Sequence, residues 1–204
     1  MAEQKQSFFT IPNLISLARI AMIPVFAWAF LAGYEITALI IVIISGVSDK
    51  LDGTIARKYN MVSDAGKMLD PLADKLSQMA LAVIMFLRFT GSENALMRFT
   101  GWVFLGFVAK EVLMLLFALA MILMKLRPAA AEIWGKVATV VFYSVMGVLL
   151  FAGPDVGILA KYFDGWALPP ALVTFLVVAN LILMIIAFLS YIPDTYRKIM
   201  KKEK

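Results

Sequence analysis

Long apolar runs at 20–44, 76–87, 99–124, 137–153 and 166–192 constrain this chain more than any other feature. A helix needs about 20 mostly apolar residues to cross a bilayer, and several runs reach that length. Inside hydrocarbon every backbone polar group must be satisfied within its own segment, which leaves helices as the way to use such runs. Only 16% of the residues are charged, where a soluble domain carries about a quarter. The expectation is an all-α polytopic membrane protein, folded as one membrane domain over 1–204. Residues 1–12 form a juxtamembrane segment and 193–204 a basic cytosolic tail.

The pattern predicts six transmembrane helices, at about 13–32, 35–58, 66–88, 97–125, 133–153 and 167–192. Between the second and third, "KYNMVSDA" reads as a turn, with Ser63 or Asp64 capping the third helix. "TGSEN" and "GPDVGILAKYFDGWALPP" are rich in turn formers and read as loops. "WAFLAG" resembles a signal-cleavage point, but Pro12, Asn13 and Arg19 interrupt the approach to the first apolar run, so an uncleaved span is expected. Six spans put both termini on one side. All nineteen Lys and Arg except Arg88, Arg98 and Lys161 fall on that side or in segments leading to it. The positive-inside rule then makes both termini cytosolic. The closing "YRKIMKKEK" is either a tail drawn to anionic lipid or a plain topology determinant. The net charge of +5 reflects topology and gives no reason to expect nucleic acid.

Neither Cys nor His occurs. That excludes thiol nucleophiles, Cys/His zinc sites and imidazole bases, and leaves carboxylates, hydroxyls, Lys, Arg or a hard metal. The carboxylates concentrate in "SDKLDGTIARKYNMVSDAGKMLDPLADKL", residues 48–76. Asp49, Asp52 and Ala56 share one helical face, and Gly66, Asp70 and Asp74 share a face of the next helix. A short turn makes the two helices antiparallel neighbours, so the acidic faces are expected to meet. An Asp costs roughly 2.5–3.5 kcal/mol at the centre of a spanning helix and less at its edge. Lys50, Arg57, Lys67 and Lys75 compensate in part. An ion-paired collar without chemistry is one reading of these charges. The other is an all-oxygen site for magnesium, manganese or calcium. Two divalent ions would neutralise four carboxylates and keep positions open for phosphate oxygens.

The stretch Asp49-x2-Asp52-Gly53-x2-Ala56-Arg57-x8-Gly66-x3-Asp70-x3-Asp74 resembles the full signature of the CDP-alcohol phosphotransferases, with every fixed position filled. That resemblance implies six transmembrane helices, usually in a homodimer. It also implies displacement of CMP from a CDP-linked donor by an alcohol. By the matching positions, Asp49, Asp52, Asp70 and Asp74 would hold two Mg2+ or Mn2+ ions. Asp74 would also take the proton from the acceptor hydroxyl. Asp52, Gly53, Ala56 and Gly66 would contact the CDP donor, and Arg57 would meet its phosphates or brace the acids.

"LDPLADK", residues 69–75, and "IPNLISLARIAMIPVF" are similar to the phosphatidylglycerophosphate and cardiolipin synthase branches. The donor implied is CDP-diacylglycerol and the leading acceptor glycerol 3-phosphate, with phosphatidylglycerol as the alternative. Further along, Ala109-Lys110-Glu111 stands where those synthases often have Ala-Arg-Glu, and Ala138 replaces a Lys. Lys110, Lys136 and Arg127 are the candidate cations for the acceptor's phosphate. Lys110 has an alternative, pairing with Glu111 or another acid. Arg19 is set either to brace the acidic cluster or to snorkel toward phosphate. The expected location is a bacterial inner membrane with the site facing the cytosol. A divalent-cation transporter is a distant alternative, since transport sites lie near the midplane between repeats and no repeat is visible.

Overall fold

The computed structural model describes residues 10–58, 64–124 and 133–202. Every regular element among them is helical: α1 (Ile11–Leu31), α2 (Glu35–Lys58), α3 (Asp64–Thr90), α4 (Ala95–Leu123), α5 (Ile133–Ala152), α6 (Ile158–Tyr162) and α7 (Pro170–Lys202). Six correspond to the expected helices. The short α6 falls within a stretch expected to be loop. The last helix runs through Pro193 to Lys202, where a span ending at 192 was expected.

Four segments are long and apolar enough to cross a membrane: Asn13–Leu31, Ala95–Met121, Trp134–Ala152 and Pro170–Pro193. In α2 the apolar part is the shorter Glu35–Ser48. It stops where the acidic motif begins. In α3 the charged residues 64–75 occupy the first turns of the helix, so its apolar half is short as well. Large apolar side chains face outward along the spans, among them Trp28, Trp102, Leu119 and Phe175, as a lipid-facing surface requires. The chain is an integral membrane protein.

The Cα positions group into two compact units, Met1–Leu81 and Ala82–Lys204. In the first, α1 packs on α2. Thr10 caps α1, its Oγ1 accepting from the Asn13 amide at 3.4 Å. Gly33, at φ 82°, lets the chain reverse tightly between α1 and α2.

In the second unit α4 and α7 run parallel. Thr100 meets Thr174 at 2.7 Å near their first turns, Gly106 lies against Leu181, and Phe117 meets Phe188 edge to face further along. Each Thr hydroxyl also lies within reach of a carbonyl of its own helix, Leu96 or Pro170, so that one hydroxyl donates to its carbonyl while the other donates across the pair. Polar side chains satisfied in this way join helices in a membrane without exposing a lone group. α5 also packs on α7, where the Tyr191 hydroxyl lies directly against Gly135. Phe89, Phe104, Phe107, Phe142 and Tyr143 form a continuous chain of ring contacts at 5.6–5.9 Å through this unit. Asn94 caps α4, accepting from the amides of Leu96 and Met97.

Two glycines on α4 are needed for different reasons. A Cβ at Gly101 would stand 2.7 Å from the Thr90 backbone nitrogen, whereas one at Gly106 would meet the end of the Leu181 side chain at 2.8 Å. Backbone cannot step aside as a leucine methyl can, and overpacking costs about 1–3 kcal/mol where nothing yields. Gly101→Ala is therefore expected to lower the thermal midpoint in detergent clearly more than Gly106→Ala. Equal midpoints would refute this account of the α3–α4 corner.

Candidate active site

The helix assignments place Asp49, Asp52, Gly53, Ala56 and Arg57 in the last turns of α2, and Gly66, Asp70 and Asp74 in the first turns of α3. Residues 59–63 connect them and are outside the described set. Asp49 and Asp52 are thus about 4.5 Å apart along their helix axis, and Asp70 and Asp74 about 6 Å apart along theirs. Each pair lies on one side of its helix. The side chains of Asp49, Asp52, Arg57 and Asp70 fall outside the described set, so the expected meeting of the two acidic faces lies there too.

Asp74 is described in full. Its side chain is 17% exposed, and Lys75 Nζ lies 3.7 Å from Oδ2. Gln78 Nε2 donates to the same oxygen at 2.8 Å. A half-buried carboxylate with a cation and an amide on one oxygen is an ordered acceptor group. Carboxylate oxygens on neighbouring turns are the donor chemistry that a hard divalent cation prefers. Asp74 is a donor of that kind, and the side chains of the other three acids of the motif lie outside the described set.

The first unit also buries polar side chains, of which sequence reasoning singled out Arg19 alone. Asn13, Ser16 and Arg19 lie on one side of α1 and are 0–1% exposed, and Ser45 of α2 and Ser77 and Gln78 of α3 are buried as well. Their three-residue spacing on α1 was the signal available in the sequence. Full burial of Arg19 sets aside the snorkelling alternative, because a snorkelling side chain keeps its head in water.

The candidate acceptor cations part company. Arg127 lies outside the described residues. Lys136 stands exposed on the first turn of α5. Lys110 is buried within the 95–121 span and forms an ion pair with Glu111, which is equally buried. Adjacent helix positions do not face each other, so the lysine stem has to curl round the helix to reach its partner. In the same unit Asn180 of α7 is 2% exposed, and neither polar atom of its side chain has a hydrogen-bond partner among the described residues.

Breaking a buried pair by removing one charge costs about 3–5 kcal/mol, while replacing both charges with apolar groups costs far less. Lys110→Met and Glu111→Gln are each expected to lower the thermal midpoint in detergent, and Lys110→Met/Glu111→Leu to recover most of the loss. Additive losses in the double variant would mean that the two charges do not depend on each other.

A protein-family model described as CDP-alcohol phosphatidyltransferase matches residues 9–192. Among curated proteins, the chain is 34% identical to the cardiolipin synthase (CMP-forming) of Streptomyces coelicolor, over 80% of this chain and 76% of that one. It is 27% identical to the CDP-diacylglycerol–glycerol-3-phosphate 3-phosphatidyltransferase of Aquifex aeolicus, over 94% of this chain and 99% of that one. The like-named Bacillus subtilis protein is 40% identical over 38% of this chain and 48% of its own length.

Proposed function

The chain belongs to the CDP-alcohol phosphatidyltransferase family, and on that premise we propose that it transfers a phosphatidyl group from CDP-diacylglycerol to glycerol 3-phosphate, releasing CMP. The observation that carries this reading is the intact acidic motif inside a family match spanning nearly the whole chain. The end-to-end similarity to the Aquifex aeolicus enzyme supports the acceptor.

In this reading Asp49, Asp52, Asp70 and Asp74 would hold two divalent cations, Mg2+ or Mn2+, which when bound supply charge neutralisation at the donor's diphosphate. The remaining steps belong to the chain. Gly53, Ala56 and Gly66 carry little side-chain bulk and leave room for the flat cytidine. Arg57 presents a two-pronged donor to phosphate oxygens. Asp74 accepts the proton of the acceptor hydroxyl as its oxygen bonds to the β-phosphorus and the bond from that phosphorus to the CMP oxygen breaks. CMP leaves with the electron pair of that bond, and Asp74 returns its proton to water. An ordinary carboxylate is too weak to ionise an alcohol beforehand, so proton removal is concerted with attack. Lys136, exposed near the start of α5, takes the acceptor's phosphate.

The setting proposed is a bacterial inner membrane, with one membrane domain of six spans, both termini and the site cytosolic, and a homodimer as the working assembly. α2 and α3 would complete the six by crossing with their apolar parts while their charged turns stand at the inner border. A lipid donor can then keep its acyl chains in the bilayer and its nucleotide in water.

One observation favours phosphatidylglycerol as acceptor instead. The Streptomyces coelicolor relative, similar over 80% of this chain, is a cardiolipin synthase. The charge of Lys110 is also already met by Glu111, which leaves one cation fewer for a phosphate.

Purified protein given CDP-diacylglycerol, Mg2+ and single acceptors is expected to release CMP with glycerol 3-phosphate, to stop in chelator, and to lose nearly all activity as Asp74→Asn. Release with phosphatidylglycerol alone would select the second reading, and release with neither would defeat both. A charge-assisted hydrogen bond contributes about 1.5–3 kcal/mol. Lys136→Ala is accordingly expected to raise the KM for glycerol 3-phosphate by about tenfold or more with the KM for the donor unchanged. An equal rise in both would remove Lys136 from the acceptor site.

A further inference from the structure

Gln78 stands one turn beyond Asp74 on α3, so the two side chains share a face. It is 1% exposed. Its Nε2 donates to Asp74 Oδ2 at 2.8 Å, while its Oε1 is buried with no hydrogen-bond partner among the described residues. Leaving a buried acceptor unpaired is destabilising, and a leucine or methionine of similar volume would avoid that cost. Turning the amide over gives no relief, because it would set Oε1 against a carboxylate oxygen. The arrangement therefore satisfies Asp74 at the expense of Gln78. Neighbouring Ser77 cannot substitute, since its hydroxyl bonds the Ala73 carbonyl at 2.8 Å. Lys75 reaches the same oxygen only at 3.7 Å, from a side chain as exposed as that of Asp74 itself, and a mobile ammonium does not set a carboxylate's plane.

We propose that Gln78 is a positioning residue for the transfer reaction: its buried amide locks the rotamer and plane of the Asp74 carboxylate. This rests on the reading of Asp74 as base and metal ligand. Fixing one oxygen by a short bond from the same helix keeps the carboxylate from turning when its charge is drawn toward substrate. Groups that orient a ligand in this manner are typically worth 10- to 100-fold in metal affinity or activity.

Two variants test it. Gln78→Met keeps length and volume and removes the donor, and Gln78→Glu keeps the shape and puts an acceptor where the donor was. In Gln78→Met the kcat for CMP release is expected to fall about 10- to 100-fold, with the KM for CDP-diacylglycerol unchanged. Gln78→Glu should fall further. Mn2+ binding, followed by electron paramagnetic resonance without either substrate, should weaken in the same order. The thermal midpoint of Gln78→Met should not drop, because an unpaired buried oxygen has been removed. Native kcat and native Mn2+ affinity in Gln78→Met would overturn the proposal, as would losses that vanish once rates are normalised to folded protein. Should Gln78→Met fail to accumulate, Gln78→Glu decides on the same two readouts. Asp74→Asn separates the premises. If it is inactive while Gln78→Met is native-like, only the role of Gln78 falls. If Asp74→Asn stays active, the reading of Asp74 falls and takes this proposal with it.

Discussion

A carboxylate beside hydrocarbon is tolerated only where something meets its charge, and this requirement organises the whole first unit. α2 is apolar from Glu35 to Ser48 and becomes acidic at the next residue. α3 begins charged and becomes apolar past Lys75. The acids therefore stand in the turns where each helix changes character, the one place where a carboxylate avoids the full cost of the bilayer centre. The same placement suits a substrate that is half lipid and half nucleotide. Topology and chemistry ask for the same residues at the same depth.

The second unit solves a different problem. Its spans associate without water to drive them together, so contact has to come from close approach and from polar groups that are already satisfied. Gly101 and Gly106 supply the first, and the Thr100–Thr174 pair the second. The aromatic chain from Phe89 to Tyr143 fills the interior between them. Asn180 is the exception, a buried amide whose bonds are not made among the described residues, and nothing in the structure explains it.

Much of this was legible in the sequence because long apolar runs and a fixed acid spacing are strong signals. α2 was expected at 35–58 and is found at Glu35–Lys58. What escaped had weak local signals. α6 is a single short helix, with Lys161 and Tyr162 inside it and Gly157 and Asp164 beside it, in a stretch full of turn formers. The extension of α7 past Pro193 goes against the usual reading of proline as a stop, although proline removes only one donor from a helix that already has many turns to hold it. Burial of Gln78 depends on what packs against it, and no spacing within α3 reveals that. The candidate site was legible as a list of acids, but the hydrogen bond from Gln78 to one of them was not.

The acceptor question turns on electrostatics as well. Family motifs offer cations by position, yet a cation is available to a phosphate only if its charge has not been spent. Lys110 is buried beside Glu111 and forms an ion pair with it, so recruiting it to a phosphate would weaken that pair inside the span. Such a cost, several kcal/mol, exceeds what a single charged hydrogen bond returns. The pairing therefore weighs against Lys110 as the phosphate's partner in the proposed reading. In the proposed reading the recognition of a small phosphate then falls to other cations, of which Lys136 is exposed. A chain that retains the acidic motif in full and pairs Lys110 with Glu111 has one cation fewer for telling a phosphate monoester from a lipid hydroxyl. On the proposed reading the choice of acceptor falls to cations other than Lys110, whereas the transfer itself falls to Asp74.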